Sequence, residues 1–231
     1  MLKNNKIEEI IRDSLKKHEE QKREHYLFGR ILVYIKDPVL PSINISSILG
    51  NIERLFPPHL MEEVDEIFIG SFGKNEEREL EAHYDSGAIY ITSDLPTDGD
   101  YIENIIHETA HAIEAQRGLE IYGDRRIEQE FLGKRERLAS TIKSHGIDVS
   151  HLEFADPDYV PELDSFLYKE IGYDNLHSLT TGLFASPYGA TSLREYFANG
   201  FEEFFLGNRE HLKRISPELF NKLTGVILDE I

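Results

Sequence analysis

Ile105-Ile106-His107-Glu108-Thr109-Ala110-His111-Ala112-Ile113 sets the reading of the whole chain. It is H-E-x-x-H inside an apolar, helix-forming run. Residues four apart on a helix lie one above the other, so His107 and His111 can grip one ion between them. Zinc takes two neutral imidazole nitrogens readily and needs at least one further protein ligand. Glu108 follows the first His, where its carboxylate can serve a water as general base. The plain alternative is a solvated helical face bearing two histidines, and the flanks speak against it. Asp100 and Glu103 have the spacing of a capping box, with Tyr101 opening the helix. Gly118 after Arg117 marks a stop. Ile102, Ile106 and Ile113 fall on one side at about 100° per residue, with the histidines roughly opposite. One buried stripe and one chemical face are expected.

Upstream, residues 29–36, Gly-Arg-Ile-Leu-Val-Tyr-Ile-Lys, are rich in β-branched side chains and read as a buried strand. Residues 46–55 read as a helix stopped by Pro57-Pro58, and 66–72 as a second strand. Residues 80–84 and 88–92 alternate on either side of Asp85-Ser86-Gly87, a hairpin signal. A free edge on that sheet could take an extended peptide by strand addition. His83, alone on a strand, reads as structural.

Residues 5–21 read as a polar helix with Ile7, Ile10, Ile11 and Leu15 as its stripe. Residues 125–143 read as a long charged helix and 162–171 as a shorter one. The segment between the two site halves is either a cover over the site or a plain helical layer. His145, His151 and His177 lack paired spacing and are not proposed as ligands.

Residues 191–206 form a helix with an aromatic face and acids at 195, 202 and 203. Two histidines plus Glu195 leave one coordination position for water, as a catalytic zinc requires. Ser192-x-x-Glu195 also fits a capping box, so on spacing alone Glu195 is either the third ligand or a cap of its own helix.

With 231 residues, 40% hydrophobic and 29% charged, the chain suits one sizeable core. The net charge of −18 disfavours nucleic acid as a partner. It fits solubility first, and attraction of basic peptides second. There is no cysteine, which removes disulfides, thiolate metal sites and Cys nucleophiles together. No stretch approaches the roughly 18 apolar residues of a membrane helix. The charged first 21 residues lack a signal-peptide core, so the expected location is cytoplasmic, or secreted after processing or by a non-classical route.

Residues 107–113, His-Glu-Thr-Ala-His-Ala-Ile, and 194–201, Arg-Glu-Tyr-Phe-Ala-Asn-Gly-Phe, resemble the two halves of the catalytic domain of anthrax lethal factor and of the smaller Pro-Pro endopeptidases. These are gluzincins, zinc proteases with two His from H-E-x-x-H and a Glu from a downstream helix. The resemblance puts that Glu at Glu195. It also implies an oxyanion-donating Tyr seven residues earlier, here Tyr188. The family's helix often carries Glu where Asn199 stands. Support for a ligand His is then either weaker or supplied by Glu202 or Glu203. The segment 121–182 is longer than in the compact Pro-Pro endopeptidases.

The expected protein is therefore α+β and zincin-like: a small twisted sheet on the H-E-x-x-H helix, then a mostly helical half. It reads as one domain over 1–231, with an N-terminal helix (1–27), sheet and site helix (28–118), helical cover or insertion (119–185) and C-terminal helices (186–231). The expected function is a zinc-dependent endopeptidase using Zn2+ on His107, His111 and Glu195, with Glu108 and Tyr188 catalytic. Its partner is a protein or peptide substrate, and the resemblance alone implies a preference for Pro-containing peptides. The alternatives are an inactive zinc-binding interaction module and a toxin-type effector with a single protein substrate.

Overall fold

Among the described residues, strands and helices are mixed up to Tyr122, and helices alone follow. The computed structural model describes residues 23–72 and 81–229, so the helix read over 5–21 lies outside the described residues. The five strands among the described residues are β1 (Glu24–Leu27), β2 (Ile31–Ile35), β3 (Glu66–Ile69), β4 (Ala82–Asp85) and β5 (Ala88–Ile91). The eight α-helices among the described residues are α1 (Ile45–Leu55), α2 (Asp98–Tyr122), α3 (Arg126–Ser144), α4 (Pro161–Ser165), α5 (Tyr173–Thr180), α6 (Leu193–Leu206), α7 (Arg209–Ile215) and α8 (Pro217–Ile227). A π turn, Phe166–Ile171, continues α4. The class is α+β.

The sheet runs β1-β2-β3-β5-β4, with β2, β3 and β5 parallel and the two edge strands antiparallel to their neighbours. Alternation decides which face is buried. Val33, Ile67 and Ile89 form one buried row, and Ile35, Ile69, Ile91 and Ala82 the next. On the other face one row joins Tyr34, Phe68, Tyr90 and His83 across four strands. There His83 stacks on Tyr90 with ring centres 4.9 Å apart, a structural place for this histidine. The hairpin expected around Ser86-Gly87 forms, with positive φ at both residues (48° and 91°), as a two-residue turn of matching twist demands.

Residues 24–27 are strand rather than part of an N-terminal helix. Only His25 and Leu27 of this four-residue edge are buried, too short a pattern to read from sequence. Phe28 and Gly29 (φ 53° and 65°) turn the chain into β2.

The site helix α2 starts earlier than Tyr101. Thr97 is its N-cap: its hydroxyl accepts from the Asp100 amide, and the Asp100 carboxylate accepts from the Thr97 amide. Asp98 and Asp100 also meet the positive end of the helix dipole. Arg117-Gly118 is a kink rather than an end. Arg117 leaves helical geometry (φ −108°, ψ 17°) and the helix resumes to Tyr122. The middle of α2 has both expected faces, the isoleucines on one and His107, Glu108, His111 and Glu114 on the other, but both lie inside the protein. Ile105, Ile106, Glu108 to Glu114 are all buried, whereas Ile102 is only partly so. Here α2 packs against α1, the β4/β5 hairpin and α6.

The α3 helix packs behind α6 and α8. Phe131 meets Phe184 and Tyr196 edge-on or tilted, with ring centres 6.2 and 5.4 Å away. The following loop is tied to the start of α6, where the Leu193 amide donates to the Pro157 carbonyl at 2.8 Å. Gly200 lets α8 close on α6, because a Cβ there would run into Leu219.

Candidate metal centre

His107 and His111 stand one turn apart on α2, with ring centres 5.0 Å apart. Glu195 comes from the first turn of α6, which crosses α2. Its Oε2 is 3.1 Å from His107 Nε2 and its Oε1 is 3.5 Å from His111 Nε2. One atom from each of the three residues lies within 4.8 Å of the others. Both imidazoles thus turn Nε2 toward Glu195. Among the described residues this is the His/Asp/Glu group arranged to hold a metal ion. Two imidazole nitrogens and one carboxylate are a donor set that fits zinc and leaves a fourth position.

The capping alternative for Glu195 is half right. Ser192 is the N-cap, and its hydroxyl accepts from the Glu195 amide at 3.2 Å. The Glu195 carboxylate does not return to the cap but joins the histidines.

The outer nitrogen of each imidazole meets a second carboxylate. His111 Nδ1 is 3.2 Å from Glu114 Oε2, and His107 Nδ1 is 3.4 Å from Glu202 Oε2. Glu114 also accepts from the Tyr122 hydroxyl at 2.6 Å and from Arg194 Nε at 2.9 Å. Such partners fix ring orientation and raise the basicity of the ligating nitrogen. The second supporting acid is therefore Glu202. Glu203 turns away and accepts from the Asn208 amide at the start of α7. A cavity of about 580 Å3 opens beside Glu114 and Arg194, against Gly118 and Pro157.

The electrostatics follow from this crowding. Burial alone would push both imidazoles down. For His107 the hydrogen bonds to Glu195 and Glu202 outweigh it and hold the pKa up at about 10. For His111, Glu114 and Glu195 do the same and hold it at about 9. At Glu195 burial would raise the pKa, but the two histidines bring it down to about 2. At Glu114, too, the hydrogen bonds from His111, Tyr122 and Arg194 overcome burial and keep the carboxyl below its ordinary range.

Glu108 is buried, and desolvation pushes its pKa up, opposed by the two histidines. The Tyr84 amide of β4 donates to it. This has a simple origin in strand alternation. Thr92 donates to the Glu81 carbonyl, so within the antiparallel pair Tyr84 points its N–H away from β5, toward the open edge. Glu108 sits at that edge.

Tyr188 lies in a short turn, Tyr188–Ala190, leading into α6, and its ring is tilted over His107 at 6.3 Å. All five residues singled out in the sequence therefore come together. Sequence reasoning missed Glu114, Tyr122 and Arg194. Glu114 carried a signal, since a carboxylate three residues after a helical His can reach its ring. No family model, curated protein or solved structure matches the chain.

Proposed function

We propose that the chain is a zinc-dependent endopeptidase with a zincin-like arrangement of sheet edge and site helix. One observation carries the reading. His107, His111 and Glu195 converge from two crossing helices, and the remaining acid of the motif, Glu108, is buried beside them at the edge of β4. The likeness of residues 107–113 and 194–201 to the gluzincins supports the same conclusion.

His107, His111 and Glu195 would hold the metal. Bound there, zinc would supply Lewis acidity toward a water and a peptide carbonyl. Glu108 takes a proton from the attacking water and delivers it to the leaving amine. Its burial beside the two histidines places the carboxylate to make that exchange. The Tyr188 hydroxyl donates to the carbonyl oxygen as negative charge develops there. The outer edge of β4 offers main-chain groups to an extended substrate, which brings the scissile bond past Glu108. The substrate is thus a peptide in extended conformation.

The test is cleavage of a peptide library by the wild type beside Glu108→Gln. The wild type is expected to cleave. The variant should keep its zinc and lose at least about 100-fold in rate, the low end of what positioned proton transfer supplies. Equal hydrolysis by both would overturn the mechanism, and bound zinc with no cleavage by either would overturn the peptidase reading.

A further inference from the structure

The face of α6 that carries Glu195 continues with Asn199 and Glu202, at the i, i+4, i+7 spacing of one helical stripe. We propose that these two residues divide the support of the site: Asn199 is a positioning residue for the Tyr188 turn, and Glu202 is the carboxylate that backs His107. The functional meaning of Tyr188 rests on the peptidase reading, whereas the division itself does not.

Asn199 is buried, and its amide is used at both ends. Its Nδ2 donates to the Glu195 carbonyl at 2.9 Å, and its Oδ1 accepts from the Ser186 hydroxyl. Ser186 also reaches the Gly189 amide, at 3.5 Å. The turn lies flat on Asn199, since a Cβ at Gly189 would stand 3.4 Å from the Asn199 Cβ. The backbone then closes on itself through Ala190 N to Pro187 O (3.1 Å) and Thr191 N to Tyr188 O (3.0 Å). One amide thus joins the helix turn that presents Glu195 to the chain turn that presents Tyr188.

An amide suits this place because it both donates and accepts. A carboxylate at 199 has no donor for the Glu195 carbonyl, and it adds a like charge four residues from Glu195. The support of His107 comes from almost one turn further along the helix, from Glu202. That side chain is one-third exposed and reaches His107 Nδ1 from the rim of the site.

Two measurements test the division, neither of which needs catalysis. The first is amide hydrogen exchange over residues 186–191. Asn199→Ala and Ser186→Ala, which break the latch from opposite sides, should each speed exchange of the Ala190 and Thr191 amides by about tenfold or more, as local opening predicts. Ser186→Ala leaves α6 untouched and guards against a folding defect in the Asn199 variant. The second is zinc affinity by competition with a chromogenic chelator. Glu202→Gln should weaken zinc about 10–100-fold, and the two latch variants should change it less than about threefold. Unchanged exchange in both latch variants would overturn the role of Asn199. A tenfold loss of zinc in Asn199→Ala, or none in Glu202→Gln, would overturn the division. If wild type and Glu108→Gln both leave every peptide intact, the peptidase reading falls and these two measurements still decide the proposal.

Discussion

Glu114→Gln is the sharpest perturbation of the candidate metal centre, because it keeps shape and removes only charge. The carboxylate takes three donors on two oxygens: His111 Nδ1 and Arg194 Nε on Oε2, and the Tyr122 hydroxyl on Oε1. A glutamine has one oxygen. It can turn that oxygen to His111 and Arg194 and offer its NH2 to Tyr122, whose hydroxyl also accepts. The loss is therefore one of charge assistance rather than of bonds. A hydrogen bond to a charged group contributes about 1.5–3 kcal/mol and a neutral one about 0.5–1.5, so His111 and Tyr122 lose about 1 kcal/mol each. Arg194 is mostly exposed, and its share is discounted to about 0–1 kcal/mol for solvent screening. Glu114→Gln should cost about 2–3 kcal/mol of stability in the metal-free protein. Glu114→Ala, which strands buried donors, should cost about 3–5 kcal/mol. Zinc affinity should fall about 10–100-fold in the Gln variant, as for other partners of a ligating His. Urea unfolding of chelated protein at constant m measures the first quantity, and chelator competition the second. If Glu114→Gln binds zinc as tightly as wild type, Glu114 does not set His111.

The remaining predictions concern charge. In the metal-free protein Glu195 helps hold His107 and His111 near pKa values of about 10 and 9, so a metal must displace their protons. Zinc affinity should therefore climb between pH 6 and 8, by up to about 100-fold per pH unit when two protons leave, and Glu195→Ala should both weaken binding and flatten that slope. A flat wild-type profile measured by competition would refute it. Lys134 is buried over the rings of Phe184 and Tyr196, and burial pulls its pKa down to about 7. The unfolded chain therefore binds more protons between about pH 7 and 10.5, and stability from this group rises with pH across that window. Lys134→Met should be more stable at pH 7 by about 1–2 kcal/mol, and the advantage should shrink toward pH 10.5. Thermal or urea unfolding of the pair at both ends of the window checks the sign.

Much of the scaffold was legible because its signals are local. The β-branched run of β2, the alternation across Ser86-Gly87 and the Pro57-Pro58 stop all act within a few residues, and each produced the element expected. The signal at Arg117-Gly118 was real but marks a kink, since packing of Ile121 and Tyr122 carries the helix on. The start of α2 was misplaced because two acidic boxes overlap, and Thr97-x-x-Asp100 forms instead of Asp100-x-x-Glu103. Edge strand β1 was missed because four residues with two buried positions give no pattern.

The sequence by itself determined the spacing of His107, Glu108 and His111, since a helix puts residues four apart on one face whatever surrounds it. It also offered Glu195 as ligand or cap and Glu202 or Glu203 as support, while Tyr188 came only through the resemblance to the gluzincins. Only the tertiary structure decided that Glu195 joins the histidines while Ser192 caps the helix, and that Glu202 rather than Glu203 meets His107. It alone placed Glu114, Tyr122 and Arg194 in one network. The physical reason is distance along the chain. His107 and Glu195 are 88 residues apart, and no periodicity of 2 or 3.6 residues carries information over that separation. What brings them together is the crossing of two buried helices, set by the packing of the whole core.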